Sequence, residues 1–97
     1  MAARLIVEDR VKFPDGAILT VRIWEVPHPV PPSEHRFKYS LFYGYPGNRV
    51  VGYDNERGKG DHRHLGAVET PYVFTTWESL LDDFLADVAR ARGEDGP

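Results

Sequence analysis

Alternation of apolar and polar positions fills the first half of the chain, and a helical repeat fills its last quarter. Residues 4–13 are rich in β-branched and aromatic side chains and read as a strand. Residues 17–26 run back as a second strand, with Leu19, Val21 and Ile23 on one face and Ile18, Thr20, Arg22 and Trp24 on the other. Pro14-Asp15-Gly16 joins them as a turn, because proline presets φ and glycine accepts a positive one. Residues 35–45 alternate over the longest run: Phe37, Tyr39, Leu41, Tyr43 and Tyr45 against Arg36, Lys38, Ser40, Phe42 and Gly44. Pro46-Gly47-Asn48 predicts the next turn, and 49–53 a fourth strand paired with the third. Near the C-terminus, Trp77, Leu80, Leu81, Phe84, Leu85 and Val88 fall on one helical face, with Asp82, Asp83 and Asp87 directed away from it. Thr75, three residues before Glu78, fits a capping box, and Arg90, Arg92 and Gly93 suit a helix end.

Between these elements the pattern weakens. Residues 27–34 hold four prolines and predict a stiff crossover or a mobile loop, since proline donates nothing to a ladder. Residues 65–70 are ambiguous, and 71–74 read as a short edge strand or an extended link. The expectation is a single α+β domain over 1–97. It has a four- to five-stranded, mainly antiparallel sheet and one C-terminal amphipathic helix, about 76–92, packed on one face. Residues 93–97 are expected to form a frayed tail. Such a helix spans about 24 Å and covers one face only. The other face awaits a partner chain or a second copy of this one.

Composition narrows the class. Ninety-seven residues hold one modest core, and no apolar run approaches membrane-spanning length. The absence of cysteine removes disulfides and thiolate chemistry and suits a cytoplasmic protein. The net charge of −3 is unevenly spread. Residues 35–64 carry six Lys or Arg against three acids, whereas 76–97 carry six acids against two Arg. Contact with nucleic acid should therefore be local.

The stretch 49–64, RVVGYDNERGKGDHRH, concentrates the chemistry. It reads as a strand leading into a charged loop. His62 and His64 lie two apart, which in an extended segment points both rings to one side, with Asp61 and Arg63 on the other. Two such rings can act as base and acid around a phosphate. With Asp54 they could instead complete a metal triad. Arg57-Gly58-Lys59-Gly60 lacks the spacing of a P-loop but could converge on an anion. Tyr53 is a candidate site aromatic, and equally a core tyrosine. Asp54 could orient a histidine, while Glu56 and Asp61 read as surface charges. The aromatic stripe Phe37–Tyr45 is assigned mostly to the core under the helix.

Tyr53-Asp54-Asn55, then Gly58-Lys59-Gly60-Asp61-His62 and His64, followed by Tyr72 and Phe74 and by Leu80, Leu81, Asp83 and Phe84, resemble the TumE family of small prokaryotic proteins. The resemblance covers about residues 16–90. It implies a toxin paired with an antitoxin that carries a winged-helix or helix-turn-helix DNA-binding domain, and it suggests attack on RNA. On the chemistry of the matching loop, His62, His64, Lys59 and Asp54 are the catalytic candidates. Arg57, Arg63 and Tyr53 are the candidates for phosphate and base. The favoured reaction is metal-independent RNA cleavage without a cofactor. A non-catalytic regulatory module and a metal-dependent nuclease or phosphotransferase stand as alternatives, and a homodimer as a possible assembly.

Overall fold

The fold begins as the turn chemistry dictates. Phe13 N–H donates to Ala17 O at 2.9 Å, and the Asp15 carboxylate accepts from Ala17 N–H at 3.0 Å. This closes β1 (Arg4–Lys12) on β2 (Ile18–Glu25). The structure, a computed structural model, describes residues 2–93, so the tail expected at 93–97 lies outside the described residues except for Gly93. β3 (Phe37–Tyr45), β4 (Asn48–Glu56), β5 (Gly60–Leu65) and β6 (Val68–Pro71) follow, and α1 (Trp77–Ala91) closes the chain. The six strands form one sheet in the order of the sequence, each antiparallel to its neighbour. Every connection is short except the proline-rich one between β2 and β3.

The architecture is the expected α+β sheet and helix, with six strands rather than four or five. The excess lies where the sequence suggests a loop. β4 continues past Tyr53 to Glu56, residues 57–59 make the turn, and β5 returns beside it. Alternation is present over 53–64, but its members are polar on both faces, so no hydrophobic periodicity marks it. β6 lies a few residues earlier than the edge strand expected at 71–74.

Alternate residues of β2, β3 and β4 fill the core: Leu19, Val21, Ile23, Tyr39, Leu41, Tyr43, Val51 and Tyr53. Helix α1 packs against β3 and β4 through Leu80, Phe84 and Val88, each worth about 1.5–3 kcal/mol on burial. Its cap is Thr76, not Thr75: the Thr76 hydroxyl accepts from Ser79 N–H at 3.1 Å. The buried stripe is also rotated. Asp87 faces inward at 3% exposure, and Leu85 is 44% exposed. The inward aspartate corrects the expectation that Asp87 points away, and its partners explain it below.

The proline-rich segment is anchored. Pro31 O accepts from Gly58 N–H at 2.8 Å, and the Pro32 ring lies where a Cβ on Gly60 would meet it at 3.1 Å. With φ at +81°, Gly60 is needed both for its backbone and for its missing side chain. The loop thereby clasps the end of the β4–β5 hairpin.

Candidate functional site

The β4–β5 hairpin divides its side chains by parity. Tyr53, Asn55, Asp61 and Arg63 face the helix; Gly52, Asp54, His62 and His64 face the open side of the sheet. This is the split that the His-x-His spacing predicts.

On the helix side, two carboxylates collect hydrogen bonds. Asp87 accepts from Tyr53 OH at 2.5 Å, from Arg63 Nε at 2.9 Å and from Arg63 Nη2 at 2.8 Å. Arg90 adds a further contact. Burial alone would raise the Asp87 pKa, but these donors outweigh it and hold it below the usual carboxylate value. Asp61 accepts from Tyr39 OH at 2.6 Å, from His35 Nε2 at 2.7 Å and from the Ser33 hydroxyl. It too is pulled down by its donors against the opposing effect of burial. Asp61 is therefore a half-buried hub and not a surface charge. Asn55, fully buried, accepts from Tyr39 N–H at 3.0 Å and donates to Phe37 O at 2.8 Å.

Ser33, His35 and Asp61 sit together without forming a nucleophilic triad. His35 Nδ1 accepts from Phe37 N–H at 3.1 Å, so Nε2 carries the proton and donates to Asp61. The serine donates to the same carboxylate, leaving no base on the hydroxyl. The His35 ring stacks on Phe74 at 3.7 Å between centroids.

The open side is arranged differently. His62 Nδ1 lies 3.0 Å from Gly60 O, and a carbonyl only accepts, so Nδ1 bears the proton. Its Nε2 lone pair has no partner among the described residues. His64 Nδ1 lies 2.9 Å from Arg49 Nη2, a group that only donates, so here Nδ1 holds the lone pair and Nε2 the proton. Asp54 Oδ1 stands 3.5 Å from that Nε2, and Glu69 Oε2 stands 3.4 Å from Nδ1. Arg49 reaches His64 by lying across Gly52, where any Cβ would meet its Cδ at 2.6 Å. Together these neighbours leave His64 only 6% exposed.

The sequence candidates are thus partly brought together. Asp54, His62 and His64 share the open face. Lys59 reaches its rim, with Nζ 3.4 Å from Glu69, and Arg57 is exposed in the turn. Arg63 is on the opposite side, fixed on Asp87, and cannot reach a phosphate held by the histidines. Tyr53, proposed to contact a base, is 2% exposed with its ring edge-on to Phe84. Its neighbours claim it for the core. The alternative metal set is not assembled either. Among the described residues no three of His, Asp and Glu are placed to hold one ion, and Arg49 occupies a nitrogen that a metal would need. Arg49 and Glu69 are the open-face residues that sequence reasoning left out. Gly52 opposite His64 was the signal for Arg49, but reading it requires the register.

No described helix is long and apolar enough to cross a membrane. Compared with known proteins, the chain matches no curated protein and no solved structure. It does match a protein family, described as Toxin TumE, over residues 2–92. That span takes in all six strands and the helix, so the hairpin with its two faces lies wholly inside the match. The chain belongs to the TumE toxin family and is the toxin half of a toxin–antitoxin pair, with an antitoxin as its partner.

Proposed function

We propose that this toxin cleaves RNA on the open face of its sheet, without a metal, in the cytoplasm. The observation that carries the proposal is the pair of histidines two residues apart, one with a bare Nε2 lone pair and the other flanked by two carboxylates and an arginine. His62 Nε2 takes the proton of a ribose 2′-OH. The 2′-oxygen attacks the adjacent phosphorus, and the bond to the 5′-oxygen breaks. Arg49 turns from His64 onto the phosphate and neutralises the charge that develops there. Once Arg49 has left, the vacated Nδ1 takes a proton from solvent, and His64, flanked by Asp54 and Glu69, gives a proton to the departing 5′-oxygen. The products are a 2′,3′-cyclic phosphate and a 5′-hydroxyl. Lys59 and Arg57, at the hairpin end, draw the polyanion in. The antitoxin, with a winged-helix or helix-turn-helix DNA-binding domain, silences the toxin by covering this face. A homodimer that buried the same face would compete with it.

Induced expression in a bacterial host tests the reading. Wild type should arrest growth and leave new RNA fragments ending in 2′,3′-cyclic phosphate. His62→Ala and His64→Ala, shown folded by circular dichroism, should each cut at least about a hundredfold more slowly. A second reading, a non-catalytic regulatory module, draws support from the near-complete burial of His64. Equal growth arrest by wild type and both folded variants, with intact RNA, would put the toxicity elsewhere than the histidines, and no arrest by any of them would favour that reading instead.

A further inference from the structure

The strand register sets a second group of residues on the same face as the histidines. Cα partners in antiparallel strands send their side chains to one side. One row therefore runs Arg10–Thr20–Phe42–Gly52–His64–Glu69 across the whole sheet, and another runs Glu8–Arg22–Ser40–Asp54–His62–Pro71. Trp24 and Lys38 pair beside the second row. Phe42 and Trp24 are half-buried here, on the side that α1 does not cover. The Arg22 guanidinium lies 5.7 Å from the Trp24 ring centroid, and Arg22, Trp24, Lys38 and Ser40 line a cavity of about 190 Å³. Charge tips toward the cations as well. Arg10, Lys12, Arg22, Lys38 and Arg49 stand against Glu8, which pairs with Arg22 at 3.2 Å, and Asp54, Glu56 and Glu69, although the chain as a whole is acidic.

Apolar rings set among cations are what single-stranded nucleic acid requires, because every base offers a face to stack and every link a phosphate. A duplex keeps its bases inside and offers these rings nothing. Phe42 and His64 are two strands apart, roughly 10 Å, the reach of a nucleotide from base to phosphate. Arg49, lying over Gly52, is between them.

We infer that the open face is a track for single-stranded RNA, with Phe42 and Trp24 stacking bases two nucleotides apart and Arg22 and Arg10 holding phosphates. The identity of the polymer rests on the ribonuclease reading above. A base on Phe42 delivers its neighbouring phosphate to Arg49 and the histidines, and the base two nucleotides along lies on Trp24.

Fluorescence anisotropy of a short labelled single-stranded RNA tests this, using the full chain with His62→Ala and His64→Ala so that nothing is cut. Phe42→Ala and Trp24→Ala should each weaken binding about tenfold. Phe42→Leu, which keeps apolar bulk without the ring, should do the same while remaining folded. Arg22→Ala should flatten the logarithmic salt dependence by about 0.7. Val73→Ser, on the helix side and 83% exposed, should bind as the parent does. The track is overturned if folded Phe42→Leu and Trp24→Leu bind undiminished, if the parent ignores single strands, or if a duplex of the same sequence binds as tightly. The two readings fail separately. Cutting that depends on the histidines but not on the rings removes the track alone. Ring-dependent binding by a chain that never cuts removes the ribonuclease alone.

Discussion

On the helix side of the β4–β5 hairpin, Arg63 meets Asp87 through two hydrogen bonds; one residue away, on the open side, His62 keeps a ring nitrogen without a partner. Both sides carry acids and bases. They differ in saturation. Asp87 and Asp61 each take three or more donors, so their charge is committed to holding α1 and the proline-rich loop onto the sheet. Asp54 and Glu69 each approach His64 at 3.4–3.5 Å, too far for formed hydrogen bonds. Capacity left over on the open side is available to a ligand.

The largest effect should come from breaking the saturated side. Asp87→Ala leaves the Arg63 guanidinium and the Tyr53 hydroxyl without their acceptor and should cost about 3 kcal/mol. Arg63 keeps a third of its side chain in water, which places the cost at the low end for such pairs. Urea denaturation measures it. A loss smaller than 1 kcal/mol would mean that the Asp87 cluster is not a structural hub, and the contrast between the faces would fall.

Next comes Asp61→Asn, expected to cost about 2 kcal/mol at neutral pH. Asp61 and Asp87 are both held below the ordinary carboxylate value when folded. Their stabilisation is therefore complete above the unfolded value of about 3.9 and is lost as pH falls through the lower folded values. Wild type should lose stability below about pH 4, and Asp61→Asn should flatten that acid limb. The tyrosines act at the other end. Burial first, then the acceptors Asp61, Asp87 and Asp83, raise Tyr39, Tyr53 and Tyr72 above the ordinary tyrosine value. Their contribution is intact below about pH 10 and declines as pH rises beyond it. Thermal melts across the pH range record both limbs.

Much of this fold was legible because its core obeys simple periods. Leu19, Val21 and Ile23 alternate into the core, and Leu80, Phe84 and Val88 repeat along one helical face. The polar hairpin was not, since alternation among Asp54, Asn55, Asp61 and His62 carries no hydrophobic signal. The site was half legible for the same reason. Spacing alone put His62 and His64 on one side and Arg63 on the other. What each residue meets depends on register: Asp61 finds Tyr39, His35 and Ser33 from distant positions, and Asp87 finds Arg63 across 24 residues. A lone acid in a helix gives no local sign that it faces inward.

The smallest effects sharpen the comparison on the open side, between the cation that sequence reasoning singled out and the one it passed over. Arg49 is fixed by its path across Gly52 and ends on His64, whereas Lys59 is half-exposed and, among the described residues, its ammonium meets only Glu69, at 3.4 Å. A surface pair of that kind contributes little. Arg49→Gln should slow RNA cleavage by about tenfold or more while the chain stays folded, because a charge poised on the phosphate is removed. It should also free His64 to change tautomer, which ¹⁵N imidazole shifts report independently of activity. Lys59→Ala should stay within about threefold of wild type and leave the His64 spectrum unchanged. The reverse order, with Lys59 essential and Arg49 dispensable, would move the phosphate from the middle of the open face to the hairpin tip, and the histidine pair would lose its partner in the reaction.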